Sequence, residues 1–371
     1  MRILFFGSFP DYQMQLANAL CKKEGVESIF LASAIPGDVI GTVDKKLILH
    51  LPVVKNPAIH PANFLSLLNL FKTISKHNPD VVHLQLGNGR MVNLLIFMYC
   101  KMIKRYPVVV TFHDVKLHPG EESRWSQFLR YLIRKNANEI IVHGEALKEE
   151  MIKEYSLPDN KVHAIQFGEH EVAPFRRYYR DDIIEKGNLV LFFGRIVEYK
   201  GLEYLIKAEP TIVREVGGAK IVIAGARDSF LKYENMIGDR KESFIIHNYH
   251  ISYKEAAELF QECSVVVLPY TEASQSGVIP TAYGFMKPVV VTNVGSIPNV
   301  VDEGITGFIV PPKDPQAIAD AVVKLLKNEG LRKQMGQNAY KKLKKDFAWD
   351  KIVEDTLEIY SLSIKNVKHN A

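Results

Sequence analysis

Two cations five positions apart, Arg195 and Lys200, each sit beside a glycine, Gly194 and Gly201, in the run FFGRIVEYKGLEYL. Arginine brings a planar fork of donors and lysine a mobile point charge, a pairing suited to a diphosphate. Further on the chain reads LPYTEASQSGVIPTAYGFMKPVVVTNVGSIP, in which Ser276, Gly277 and Val278 open a helix just after an apolar run. The first turn of a helix carries N–H groups without intrahelical partners, which donate to phosphate oxygens. Each segment alone also reads as a plain strand-helix connection with surface charge. Both in one half of the chain predict an anion site.

The elements that must position these residues are short apolar runs alternating with amphipathic stretches. In the first half Ile3–Phe6, Ile29–Ala32, Val81–Leu84, Val108–Phe112 and Ile140–Val142 read as strands, and 64–75 and 125–135 as helices. In the second half Leu189–Phe193, Ile221–Ala224, Val265–Leu268 and Val289–Val291 repeat the pattern. Such alternation predicts an α/β protein with parallel sheets covered by helices on both faces. Ligands of such sheets bind beyond the carboxyl ends of the strands. With 371 residues, two domains are expected. Pro174, Arg176-Arg177 and Tyr178-Tyr179 interrupt the pattern between Glu171 and Lys186. We place the domains at 1–180 and 181–346, with 347–371 as a terminal helix anchored by Trp349.

Gly194-Arg195, Lys200-Gly201, Pro269-Tyr270, Gly277-Val278, Lys287-Pro288-Val289-Val290, Gly295-Ser296-Ile297-Pro298 and Gly304-x-x-Gly307-Phe308 stand in an order that resembles the C-terminal half of the family 4 retaining glycosyltransferases. The match is good over roughly residues 185 to 330 and looser before. The resemblance implies a GT-B architecture, two Rossmann-like domains facing a central cleft, the second holding the nucleotide-sugar and the first the acceptor. It also implies that the last helix crosses back to the first domain and that Arg195 and Lys200 hold the leaving diphosphate.

Within the first half, Gly7 and Ser8 follow the first strand, where glycine would let the backbone approach the nucleotide-sugar. The GxGxxG fingerprint is missing, so no nicotinamide or flavin cofactor is expected. His113, in Thr111-Phe112-His113-Asp114, resembles the family's strand-end histidine that faces the donor sugar; a structural role is its other reading. His118, Pro119 and Gly120 share its loop, and His83, Gln85, His143 and Glu145 are weaker candidates. Family members carry two glutamates, with seven residues between them, ahead of the Lys-Pro-Val-Val segment. Here those places hold Ala273 and Thr281, with Glu272 one position off. Glu272 takes the first role only if the loop shifts. Thr281 offers the ribose a single hydroxyl, unless it merely starts the helix.

The chemistry implied is transfer of a sugar from a nucleoside-diphosphate sugar to a glycan or lipid-linked acceptor, with retention, using no cofactor. No Asp-x-Asp motif stands in a suitable loop, so no metal is expected and the two cations replace it. A nucleotide-sugar epimerase of the same fold, and a sugar-nucleotide-binding protein without activity, are the alternatives. The thinned glutamates weigh against the first and suggest the second.

Charge narrows the partners. Residues 1 to 180 hold 23 Lys+Arg against 17 Asp+Glu, the rest 24 against 25. Basic residues on apolar helices (Lys101, Lys104, Arg105; Arg124, Arg130, Arg134, Lys135) suit an anionic membrane surface, or else form solvated faces. Nucleic acid is not expected, since no such motif accompanies the charge. The longest apolar run, 91–103, is interrupted by Asn93 and Lys101 and falls short of the roughly 20 residues that span a bilayer. Met1-Arg2 leads straight into a strand rather than a signal peptide. Cys21, Cys100 and Cys263 are spaced as buried thiols. A cytoplasmic protein, peripheral at the inner face of the membrane, is the expectation.

Overall fold

The computed structural model describes residues 1–32, 48–50, 61–87, 91–116, 123–166, 168, 175–226, 230–273 and 276–369. His118, Pro119, Gly120, Pro174, Ser274 and Gln275 lie outside the described residues. The chain divides into two compact units, Met1–His170 with Trp349–Ala371, and Glu171–Ala348.

The first unit is built on a parallel sheet of β1 (Arg2–Gly7), β2 (Ser28–Ala32), β3 (Ile48–His50), β4 (Val81–Leu86), β5 (Val108–Phe112), β6 (Glu139–His143) and β7 (Val162–Ile165). Their order is β3-β2-β1-β4-β5-β6-β7. The second unit holds β8 (Leu189–Phe193), β9 (Lys220–Ala224), β10 (Phe244–His247), β11 (Val265–Leu268), β12 (Val289–Thr292) and β13 (Gly307–Val310), ordered β10-β9-β8-β11-β12-β13 and also parallel. Each sheet is doubly wound, reversing direction once: between β1 and β4 in the first and between β8 and β11 in the second.

The central strands are valine- and isoleucine-rich because helices bury both their faces. Val190 and Val267 pack with Leu205, Ile206 and Val322 on one face of the second sheet, and Leu191 and Val266 with Phe260 and Ile279 on the other. The edge strands β3, β7, β10 and β13 were not read from the sequence. They are three or four residues long, and β10 leaves Ile245 and Ile246 exposed. Side-chain caps fix several helix starts: Ser123 accepts from the Ser126 amide, Ser252 from Glu255 and Asp314 from Ala317. The final helix, Trp349–His369, belongs to the first unit, where Ile352, Val353 and Tyr360 pack with Ile3, Phe5 and Val109.

Burial corrects three sequence readings. Cys21 is only half-buried, although Cys100 and Cys263 are buried, with thiols that burial pushes up to about 12. Arg130 and Arg134 are not surface charges. Arg130 donates to the carbonyls of Gly87, Asp114 and Val115, and Arg134 stacks on Tyr155 with 3.3 Å to the ring centroid. Lys101, half-buried, reaches Asn138 at 2.7 Å.

Lys287, from the Lys-Pro-Val-Val segment, is likewise structural. It is buried and pairs at 2.7 Å with Glu185, which also takes the buried Arg332 at 2.8 Å. One carboxylate thus neutralises two buried cations and ties the segment before β8 to the second core. Glu185→Ala would strand both, so we expect a loss of roughly 2–4 kcal/mol of stability, read by chemical denaturation. A change below about 0.5 kcal/mol, the surface-substitution range, would refute it.

Candidate active site

At the reversal point of the second sheet, the loops after β8, β9 and β11 meet at their carboxyl ends, where doubly wound sheets bind ligands. Gly194 ends β8 with φ +111° and donates to the Ala224 carbonyl at 2.9 Å. A Cβ on Gly194 would come within 2.7 Å of Lys200 Nζ, so the ammonium lies directly over this glycine. Lys200 also stands 5.4 Å from the Tyr270 ring centroid, and the Tyr270 hydroxyl is 3.4 Å from Ser276 Oγ. Arg195 is exposed on the same loop and Lys200 half-buried.

Close backbone approaches hold this arrangement. Gly201, at φ +65°, has no room for a Cβ, which would fall 1.9 Å from the Pro269 carbonyl oxygen. A Cβ on Gly225 would fall 2.0 Å from that of Gly194. The Thr271 amide donates to the Tyr199 carbonyl at 2.7 Å, and the Thr292 hydroxyl to that of Tyr270 at 2.6 Å. The loops after β8 and β11 are therefore fixed to each other before any ligand arrives.

The helix after Gly277, Val278–Gly284, has only seven residues, and the Val278 amide already donates to Ser276 Oγ at 3.3 Å. Its contribution is a few local donors rather than a long dipole. Thr281 is fully buried and its hydroxyl donates to the Gly277 carbonyl at 3.0 Å. It faces backbone, not solvent, which departs from the ribose-binding expectation. Glu272 is exposed next to the anchored Thr271.

In the first unit, the face of the sheet under the terminal helix carries a buried polar seam. Tyr360 OH meets His83 Nδ1 at 2.6 Å; His83 Nε2 meets Thr111 Oγ1 at 2.7 Å and Gln85 Nε2 at 3.3 Å. Gln85 Oε1 then meets His113 Nε2 at 2.5 Å, and His113 Nδ1 meets His143 Nε2 at 3.2 Å. A glutamine oxygen only accepts, so His113 carries its proton on Nε2 and accepts at Nδ1 from His143. Both nitrogens of His113 are engaged inside the protein and the ring is buried. The structure thus holds His113 rather than presenting it as an acid or base. Alternation along β4 and β5 puts these side chains on one face, a signal that period-two reading could have found.

Above the seam, Phe9 packs on His113 with centroids 3.8 Å apart and the rings tilted by 32°. Phe9 adopts φ +62°, a left-handed conformation costly for a bulky residue, just before Pro10. Gly7 is required for packing: at φ +113° a Cβ would lie 2.2 Å from the Gln85 carbonyl oxygen, to which the Ser8 amide donates at 2.8 Å. The glycine thus admits strand β4, a nearer reason for it than a ligand.

Comparison with known proteins gives the family and the fold. The sequence profile described as Glycosyl transferases group 1 matches residues 187–328, and that described as Glycosyltransferase Family 4 matches residues 12–168. The chain belongs to the family 4 glycosyltransferases. Relatives include the uncharacterised glycosyltransferase MJ1607 of Methanocaldococcus jannaschii, 28% identical over 77% of this chain and 76% of its own. The capsular polysaccharide biosynthesis glycosyltransferase CapM of Staphylococcus aureus is 25% identical over 89% and 88%. A glycosyltransferase from Rickettsia africae superposes with a TM-score of 0.73 over 98% of this chain and 99% of that one, at 18% identity. Anabaena HepE, solved with UDP and glucose, gives 0.71 over 97% and 99%, at 16% identity. The fold is therefore GT-B. Among the described residues no helix of this glycosyltransferase is long and apolar enough to cross a membrane.

Two expectations follow. Thr281→Val removes only the hydroxyl bonded to Gly277, so nucleotide affinity should stay within about twofold while stability falls by about 1 kcal/mol; calorimetry with a bound nucleoside diphosphate checks both. A tenfold loss of affinity would return Thr281 to the ribose. The second concerns His83, whose pKa burial, and then the charge of His143, lower from 6.5 to about 3. It stays neutral in the folded protein, whereas the unfolded chain takes up a proton below about pH 6.5. Its neutral burial thus costs nothing above that pH and destabilises progressively as pH falls toward 3. By pH 5 the loss is roughly 2 kcal/mol. His83→Gln should flatten the melting-temperature profile between pH 7 and 5; an unchanged profile would count against it.

Proposed function

We propose that this glycosyltransferase moves a hexosyl group from a nucleoside-diphosphate sugar to a glycan or lipid-linked acceptor, with retention and without a divalent metal. The observation that carries the reading is Lys200 Nζ lying over Gly194, beside Tyr270 and Ser276, with Arg195 on the same loop. The donor's diphosphate would lie against this loop. Breaking the bond between C1 of the sugar and the phosphate oxygen leaves positive charge on the sugar and negative charge on the diphosphate. Cations and amides already fixed around that negative charge lower the barrier without reorganising. In the retaining reaction the acceptor oxygen bonds to C1 from the leaving-group face, and its proton passes to the departing phosphate oxygen.

The relatives support the donor class: HepE was solved with UDP-glucose, and CapM is named for polysaccharide biosynthesis. Binding without transfer is the second reading, favoured by the buried Thr281 and the lack of an acidic residue at Ala273.

Arg195→Ala and Lys200→Ala should each lower turnover on the order of a hundredfold, as loss of one preorganised donor does. Treatment with EDTA should change initial rates by less than about twofold. Wild-type rates in both variants would remove the cations from the site, and a rate abolished by EDTA and restored by Mn²⁺ would refute metal independence. Donor binding without turnover across an acceptor panel would favour the second reading.

A further inference from the structure

We propose that the first unit docks on an anionic phospholipid bilayer through the joined faces of two helices, Met91–Met98 with its π-helical extension Tyr99–Ile103, and Arg124–Asn136. These helices pack against each other. Their outward residues are apolar and large. Met98, Met102 and Ile103 are exposed on one, Trp125, Phe128 and Tyr131 on the other, with Met102 at 55%, Ile103 at 70% and Trp125 at 54% exposure. The spacing explains the second set: positions 125, 128 and 131 share one side of the helix, while Leu129 and Ile133 turn inward. A soluble surface rarely gathers such residues without a partner.

Charge identifies that partner. The chain holds 42 Asp+Glu, yet none occurs within 91–103, 124–136 or the neighbouring helix Pro61–His77. Phe71 of that third helix stacks on Tyr99 at 4.1 Å, so it lies alongside. Lys104, Arg105, Arg124 and Lys135 are exposed around the apolar side chains, and Lys135 lies 5.8 Å from the Tyr131 ring. An acid-free apolar face rimmed by cations and bearing Trp and Tyr fits the interfacial region of an anionic leaflet. A protein partner would need neither the uniform absence of acids nor the aromatic rim. The inference is independent of the donor reading, because binding can be measured without any substrate.

The test is sedimentation of the full-length protein with phosphatidylglycerol vesicles and with phosphatidylcholine vesicles. Binding to the first should exceed binding to the second at least tenfold at low salt. It should weaken severalfold near 1 M salt, where the screening length is about 3 Å. Tryptophan emission should shift to the blue on adding anionic vesicles, and Trp125→Phe should abolish the shift, since the chain's other tryptophan, Trp349, packs against Tyr12. The triple variant Met102→Ser, Trp125→Ser, Phe128→Ser should melt as the wild type and lose binding at least tenfold. Equal binding to both vesicle types, a triple variant that binds like the wild type, or a dimer in solution that the triple variant abolishes would each overturn the proposal.

Discussion

The candidate site depends on one constraint: backbone approaching backbone where only glycine fits. Gly201 against Pro269 and Gly225 against Gly194 bring the loops after β8, β9 and β11 closer than any side chain allows. These contacts, with Thr271 to Tyr199, make the reversal point of the sheet rigid. Lys200 is aimed by that rigidity. Its ammonium lies where the Gly194 side chain would otherwise be, so the glycine both turns the strand and clears room for the charge. Electrostatic catalysis needs this order of events, since a cation that had to be brought into place would lose in ordering part of what it gains in attraction.

The first unit uses polar contacts in place of close backbone packing. The ladder from Tyr360 to His143 crosses β4, β5 and β6 beneath the terminal helix, satisfying groups whose burial would otherwise be costly. It fixes the tautomer of His113 and at the same time pins the last helix to the sheet through His83. The terminal helix therefore bears on the strand-end histidine through His83 and Gln85.

Much of this was legible in the sequence. Continuous valine and isoleucine runs marked the central strands because both their faces are buried, and they gave the doubly wound parallel class. The short edge strands stayed hidden, since they run for only three or four residues and β10 leaves Ile245 and Ile246 exposed. For the site, Gly194, Arg195, Lys200 and Gly201 were readable together, because backbone turn and charge are both local properties. Thr281, His113 and Gly7 have inward partners that the sequence does not display, for a shared reason. Each has a partner far away in sequence or facing inward: a helix carbonyl, Gln85 and His143, and the β4 backbone. Residue type at a strand end says that a group is near the ligand side of a sheet. It does not say which way the group faces.

The same limit governs charge. Summed over residues 1 to 180, the chain is cationic, but a cation's effect depends on what surrounds it. Arg130 and Arg134 spend their donors and faces on carbonyls and aromatic rings within the first unit. Burial also lowers the pKa of Arg130, to about 10. Lys287 and Arg332 are held by Glu185 in the second core. Among the cations left exposed are Lys104, Arg105, Arg124 and Lys135 beside the apolar helix faces and Arg195 on the loop after β8. Folding has thus given one residue type two tasks, internal ties where the side chain is buried and external fields where it is exposed. Net charge counts both alike, and only burial separates them.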